Sequence, residues 1–254
     1  MSERFTRLSE LVEFLRSENG CPWDRDQTID SLKPHLLEEM HETVEAIEDG
    51  DTDSIREELG DVLFLILFSA RIAEEEGKFS IEDVLGDCYD KMKSRHPHIF
   101  EDREDMEAGQ VLDRWEQAKK KEKKEGESVL SGIPRSLPAL IKAQRIQQRA
   151  ASLGFDWDNI DDVFAKIKEE IGEFEAEHGG GSKERLTDEL GDILFAIVNV
   201  ARFLDIRAED ALNGTIEKFK TRFANVEKEI SQRGSMTLAE MDELWEQVKA
   251  GEKK

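Results

Sequence analysis

The segment ELGDVLF that begins at Glu58 returns as ELGDILF at Glu189. Three more matches surround it in the same order: WDRDQT at Trp23 with WDNIDD at Trp157, KMKSR at Lys91 with KFKTR at Lys218, and WEQAKKKEK at Trp115 with WEQVKAGEKK at Trp245. The separations run only from 127 (Lys91 to Lys218) to 134 (Trp23 to Trp157). Ordered matches at a nearly constant offset mark a tandem duplication, which limits the fold to two copies of one unit. The copies fall at 1–124 and 135–254, with a linker over 125–134 in the charged, then Gly-, Ser- and Pro-containing stretch KKEKKEGESVLSGIPRSLP.

The hydrophobic period inside each copy is helical. Leu36, Leu37, Met40, Val44 and Ile47 recur at spacings of three and four up to Gly50, and Asp30 or Ser31 is placed to start this helix with Pro34 in its first turn. Ser54 with Glu57 has capping-box spacing for a second helix through LFLILFSARIAEEEG, and Ser80 with Asp83 for a third that stops near Arg95, before His96-Pro97. The counterparts are predicted at 159–178, 183–205 and 208–231, followed by a helix near 238–250 with Thr237 and Glu240 at its start. VLFLILF is the one window in which a buried strand competes; its flanks and the length of the surrounding pattern favour helix. Central helices this apolar need cover on several sides, which predicts four-helix-type bundles completed by dimerisation.

A formal net charge of −23 argues against broad binding to nucleic acid or to anionic membrane, because phosphate surfaces are met by positive ones. It leaves room for a small phosphorylated ligand when a divalent ion and a few basic groups reverse the field locally. Cys21 and Cys88 are too few for a disulfide framework, and the first residues lack the pattern of a secretory signal, so cytoplasmic residence is the expectation.

Glu39 and Glu42 lie one turn apart on one predicted helix, and Glu58 and Asp61 one turn apart on the next; Glu170, Glu173, Glu189 and Asp192 repeat the arrangement. If the two walls face each other, negative groups share a poorly solvated space, which is costly unless protons or a cation enter. An all-oxygen donor set suits Mg²⁺, with Mn²⁺ as a substitute, better than zinc. ExxE and ExxD also occur on solvated acidic helices, but the position of Glu58 and Asp61 at the head of an apolar run, repeated by Glu189 and Asp192, points inward. Lys218 and Arg222 share a helix face in EKFKTRF, as Lys91 and Arg95 do in the first copy, and could contact phosphate oxygens. Lys166 and Lys168 read as solvated surface.

The chain resembles the MazG family of the all-α NTP pyrophosphatase superfamily over nearly its whole length. The resemblance rests on GCPWDRDQT, LKPHLLEEMHETVEAI, EELGDVLFLILF, SRHPHIF and GIPRSLPAL, and in the second copy on GFDW, EEIGEFEAE, DELGDILFAIVNVARFL and EKFKTRF. It implies Mg²⁺ held by the ExxE and ExxD helices of assembled, homodimeric helical units. The implied reaction is cleavage of nucleoside triphosphates between the α and β phosphates, giving a monophosphate and pyrophosphate. Carried over by position, the metal ligands are Glu39, Glu42, Glu58 and Asp61 in one copy and Glu170, Glu173, Glu189 and Asp192 in the other. Lys218, Arg222 and Trp245 match substrate-binding positions, and Lys91 and Arg95 are the corresponding phosphate contacts of the first copy. One of Glu170 and Glu173 is the expected base.

Aligning the ELGD motifs sets Phe68 against Asn199, two turns beyond Asp192, where an amide could reach a base or sugar. This makes the second copy the expected main catalytic domain, in line with the resemblance. Trp23 and Trp157 read mainly as core packing, and Trp115 and Trp245 as a shared structural element, with base stacking a second role for Trp245. RHPHIF reads as a helix stop, not a zinc site. The competing readings are an acidic helical scaffold for a basic partner and a dUTPase, dCTPase or other specialised pyrophosphohydrolase; neither spacing nor charge identifies the base.

Overall fold

The computed structural model describes residues 3–101, 106–107, 109–111, 114–115 and 126–251, and the regular elements among them are all helical. The chain divides into two compact units, Met1–Lys123 and Lys124–Lys254.

The first unit contains α1 (Glu3–Arg16), α2 (Pro22–Asp26), α3 (Ile29–Asp49), α4 (Thr52–Glu75), α5 (Ile81–Ser94) and the single turn α6 (Pro97–Phe100). α3 and α4 form a closely packed hairpin, with α1 and α5 against α4. Gly50 ends α3 in the left-handed region, at φ 70°, and its N–H reaches the carbonyls of Ala46 and Ile47. Asp51 then caps α4 by accepting from the backbone N–H groups of Asp53 and Ser54.

Two predicted starts move. Thr28 caps α3 in place of Asp30 or Ser31: its hydroxyl accepts from the Ser31 N–H while the Ser31 hydroxyl accepts from the Thr28 N–H. Pro34 therefore sits inside the helix, not in its first turn, and leaves the rung to residue 30 unmade. Asp51 supplants Ser54 as the cap of α4, its carboxylate serving two backbone donors and the Ser54 hydroxyl as well. The start of α5 is as predicted, with Ser80 and Asp83 in reciprocal hydrogen bonds.

The second unit contains α7 (Ala139–Ala151), α8 (Ile160–His178), α9 (Lys183–Phe203), α10 (Ala208–Arg233) and α11 (Leu238–Gly251). Asn159 and Ser182 cap α8 and α9, which form the second hairpin; α7 packs on α9, and α10 against α7 and α11. The four predicted helices of this unit begin and end within two residues of their sequence-based limits. The hydrophobic period did not single out α1 or α7, although each covers the apolar face of a hairpin.

The cores differ in volume at matching positions. In the first unit Val12, Leu32, Leu65, Leu67, Phe68 and Ile72 form one buried cluster, with Phe68 only 2% exposed. A shift of 131 residues, the spacing of the ELGD motifs, replaces Leu32 by Val163, Leu65 by Ala196 and Phe68 by Asn199. In the α1 and α7 region the Trp23-to-Trp157 spacing of 134 replaces Arg16 by Ala150. Arg16 fills its position: its side chain is 7% exposed, and its guanidinium carbon lies 5.3 Å from the Phe68 ring centre. The same packing scheme thus carries less side-chain volume in the second unit.

Candidate active site

The second unit brings Glu170 and Glu173 of α8 together with Glu189 of α9, each offering one carboxylate oxygen within 4.8 Å of the others. Glu170 is 6% exposed, and Glu189 Oε2 is buried with no hydrogen-bond partner among the described residues. Burial, then the charges of Glu173, Asp192, Glu170 and Glu177, push the Glu189 carboxyl above its ordinary value. A buried anionic oxygen without a donor, inside a convergent all-oxygen group, fits a hard divalent cation. Asp192 stands outside the closest trio, but it acts on Glu189 through its charge and lines the adjoining cavity.

The first unit gathers Glu39 of α3 with Glu58 and Asp61 of α4 by the same measure. Glu42 lies outside that trio but contributes to raising Glu39 and Glu58, whose carboxyls are lifted first by burial and then by neighbouring carboxylates.

A cavity of about 450 Å³ opens beside the second cluster. Val163, Ala196, Asn199 and Ala150, the four smaller residues that replace core side chains of the first unit, all line it. The cavity is therefore what remains when the first unit's core is rebuilt with less volume. On α9, Asp192, Phe195, Ala196, Asn199 and Arg202 follow a helical period and form one wall. Trp157 also lines it and is 40% exposed, so it borders the cavity instead of packing in the core; Trp23 is 60% exposed and makes a T-shaped contact with His35.

Several functional candidates were not visible in the sequence patterns. Lys166, read there as surface, lines the cavity and bonds Glu170 at 2.7 Å and Glu169 at 2.8 Å. Arg202 binds Asp156 through both terminal nitrogens, at 3.0 and 2.5 Å, and donates from Nε to Asn199 Oδ1 at 2.9 Å. Burial raises Asp156, but the Arg202 hydrogen bond, the Trp157 N–H and the Arg202 charge outweigh it, and the carboxyl ends below its ordinary value. Gln147, 7% exposed, donates from Nε2 to the Phe195 carbonyl at 2.8 Å. The GFDW motif contained Asp156, but its ion pair spans 46 residues and has no local signature.

Lys218, Arg222 and Trp245 do not line this cavity. Lys218 is exposed on α10, while the Arg222 guanidinium carbon lies 5.6 Å from the Trp245 ring centre, beside Phe219 at 5.0 Å from the same ring. The first unit repeats the pairing: Arg95 lies 5.5 Å from the Trp115 ring centre, and Lys91 is exposed on α5. The duplicated WEQ segments thus provide each unit with an arginine–indole contact.

Duplicated α-helical hairpins, each carrying a carboxylate cluster suited to a divalent ion, define an all-α protein class with paired acidic helices. The model of the MazG nucleotide pyrophosphohydrolase domain matches residues 27–100 and 159–227, one stretch in each unit. The chain belongs to the MazG nucleoside triphosphate pyrophosphohydrolase family. It is 45% identical over 255 aligned residues to the nucleoside triphosphate pyrophosphohydrolase of Escherichia coli K12, covering 97% of both chains. It is 42% identical to the nucleoside triphosphate pyrophosphohydrolase/pyrophosphatase MazG of Thermotoga maritima, covering 98% of this chain and 96% of that one. A crystal structure of a mazG-related protein from Thermotoga maritima shares 30% identity and a TM-score of 0.40, covering 45% of this chain and 98% of its own.

Proposed function

We propose that the chain hydrolyses nucleoside triphosphates, ribo- and deoxyribo-, at the α–β phosphate bond, and that the second unit is the main site of turnover. The observation that carries this reading is the junction of Glu170, Glu173 and Glu189 with a cavity present in the unit where Asn199, Ala196, Val163 and Ala150 replace larger side chains. The names of the two full-length relatives point to the same reaction class.

Glu170, Glu173, Glu189 and Asp192 would hold Mg²⁺, or Mn²⁺ in its place, and Glu39, Glu42, Glu58 and Asp61 would hold an ion in the first unit. When bound, the ion neutralises phosphate charge and acidifies water. The protein's own part is to align the α-phosphate against the carboxylate cluster, where Glu173 or Glu170 takes a proton from the attacking water. The new oxygen–phosphorus bond displaces the bridging oxygen, and pyrophosphate leaves with the electron pair. Lys218 and Arg222, the latter beside Trp245, supply positive charge for the phosphates, with Lys91 and Arg95 as their first-unit equivalents.

Apolar side chains remain exposed on the hairpins, among them Met40, Leu63 and Ile66 in the first unit and Leu190, Leu194 and Ile197 in the second. Such faces support assembly as a homodimer. No helix among the described residues is long and apolar enough to cross a membrane. Cytoplasmic residence is part of the same reading, and the charge of −23 accords with an absence of direct binding to nucleic acid.

The test compares Glu173→Gln and Glu42→Gln on a panel of nucleoside triphosphates with Mg²⁺, identifying products by phosphorus NMR. Monophosphate and pyrophosphate should appear, with Glu173→Gln losing at least roughly a hundredfold in turnover and Glu42→Gln much less. Release of orthophosphate, or equal loss in both variants, would overturn the bond assignment or the division of labour, respectively.

A further inference from the structure

The cavity carries two side-chain amides on facing helices, Gln147 on α7 and Asn199 on α9, and both have a fixed sense. Arg202 Nε can only donate, so the Asn199 atom 2.9 Å from it is the amide oxygen, and the NH₂ is the end left for the cavity. Arg202 is itself held by Asp156, and its side chain is only 11% exposed. Turning Asn199 over would set an N–H against an NH₂. Gln147 is locked in the opposite sense: its Nε2 donates to the Phe195 carbonyl, leaving Oε1 buried and without a donor among the described residues. An apolar slot bordered by Trp157 and Phe155 therefore presents one fixed donor and one fixed acceptor.

We propose that this cavity is the nucleobase subsite, in which Asn199 Nδ2 donates to an exocyclic carbonyl oxygen while Gln147 Oε1 accepts from the neighbouring ring N–H. Substrates with an oxo base, namely uracil, thymine, hypoxanthine or guanine, are favoured over their amino counterparts, cytosine and adenine. In the same pose, an amino base sets its NH₂ against the Asn199 NH₂ and its unprotonated ring nitrogen against the Gln147 oxygen. Neither protein amide can turn to accommodate this without breaking its own anchor, and unpaired buried polar groups are the basis of strong discrimination. Asn199 is the specificity residue and Arg202 its positioning residue.

The proposal rests on the pyrophosphohydrolase reading for its turnover assay, but binding tests it separately. With the full chain and Mg²⁺, kcat/KM is measured for dUTP against dCTP and for dITP against dATP, and calorimetry compares dUMP with dCMP. The oxo member should lead by roughly tenfold or more in each pair. Asn199→Asp keeps an acceptor for Arg202 but offers oxygen to the base, so the ratio should collapse or invert. Arg202→Lys frees the amide and should raise KM for dUTP with kcat retained. Asn199→Ser, whose hydroxyl can donate or accept, should bring each ratio towards one and serves if the aspartate variant fails to fold. Ratios near one in the parent protein, or the parent's ratio unchanged in a folded Asn199 variant, would overturn the assignment. Absence of pyrophosphate from every nucleotide, with dUMP still bound more tightly than dCMP, would sink the catalytic reading and leave the base subsite standing.

Discussion

Lys166 Nζ stands 2.7 Å from Glu170 Oε1, so the most buried carboxylate of the second cluster is met by a cation from its own helix, one turn away. Hydrogen bonds to Glu169 and then to Glu170 raise the ammonium well above its ordinary value, which keeps it charged. The matching position of the first unit is His35, which faces Glu38 at 3.8 Å instead. A divalent ion entering the cluster must share Glu170 with this ammonium. Lys166→Met should therefore bind Mn²⁺ more tightly, by roughly threefold to tenfold, in calorimetry at low salt. Unchanged or weaker binding would show that the ammonium and the ion do not compete.

Glu189 is a carboxylate of the candidate site that burdens the fold. Its Oε2 is buried without a hydrogen-bond partner among the described residues and repelled by neighbouring carboxylates. Glu189→Gln should lower turnover by about a hundredfold or more while leaving the melting temperature of the metal-free protein unchanged or higher. Pyrophosphate release and thermal unfolding read the two effects independently. A large fall in melting temperature would mean that this carboxylate stabilises the fold without metal.

The raised carboxyls fix the sign of a pH effect. Glu39, Glu58 and Glu189 titrate above the ordinary 4.5 in the folded chain, burial being the first cause for each. The folded state then holds protons that the unfolded state releases, so these groups lower stability as pH rises from 4.5 through their folded values, and the loss is complete above them. Asp156 and Glu75 are lowered, so their contribution is full above their ordinary values and is lost only at lower pH. Metal-free protein should show a denaturation midpoint that falls as pH rises through this range, and saturating Mg²⁺ should reduce the fall. A midpoint that rises through the same window would contradict the assignment.

Phe68 and Asn199 offer a reciprocal test of packing. Phe68→Ala should destabilise the first unit by about 3 to 5 kcal/mol, because it empties a site that is 2% exposed within a closed cluster. Asn199→Phe places a ring where the cavity has room, so it should raise KM strongly with little loss of stability. Chemical denaturation and steady-state kinetics distinguish the two, and a severe loss of stability from Asn199→Phe would show that the second unit cannot accept its sister's core.

Duplication, helical class and the two acidic walls were legible in the sequence because each has a short-range signature: repeated ELGD segments, a period near 3.6, and carboxylates one turn apart. Ser80–Asp83 and Thr237–Glu240 were equally readable, since a cap needs only neighbouring residues. The Phe68-to-Asn199 exchange was visible from aligning the copies. That it combines with the Leu65-to-Ala196, Leu32-to-Val163 and Arg16-to-Ala150 exchanges to leave one cavity was settled by α1 and α7, whose placement no local pattern announces. The Arg202–Asp156 pair and the anchoring of the buried Gln147 amide were likewise decided by tertiary structure, whereas Lys166–Glu170 and Arg202–Asn199 join residues one turn apart on a single helix. Sequence spacing determines which side chains share a face, whereas enclosed volume and the direction of a hydrogen bond depend on what a different helix brings opposite.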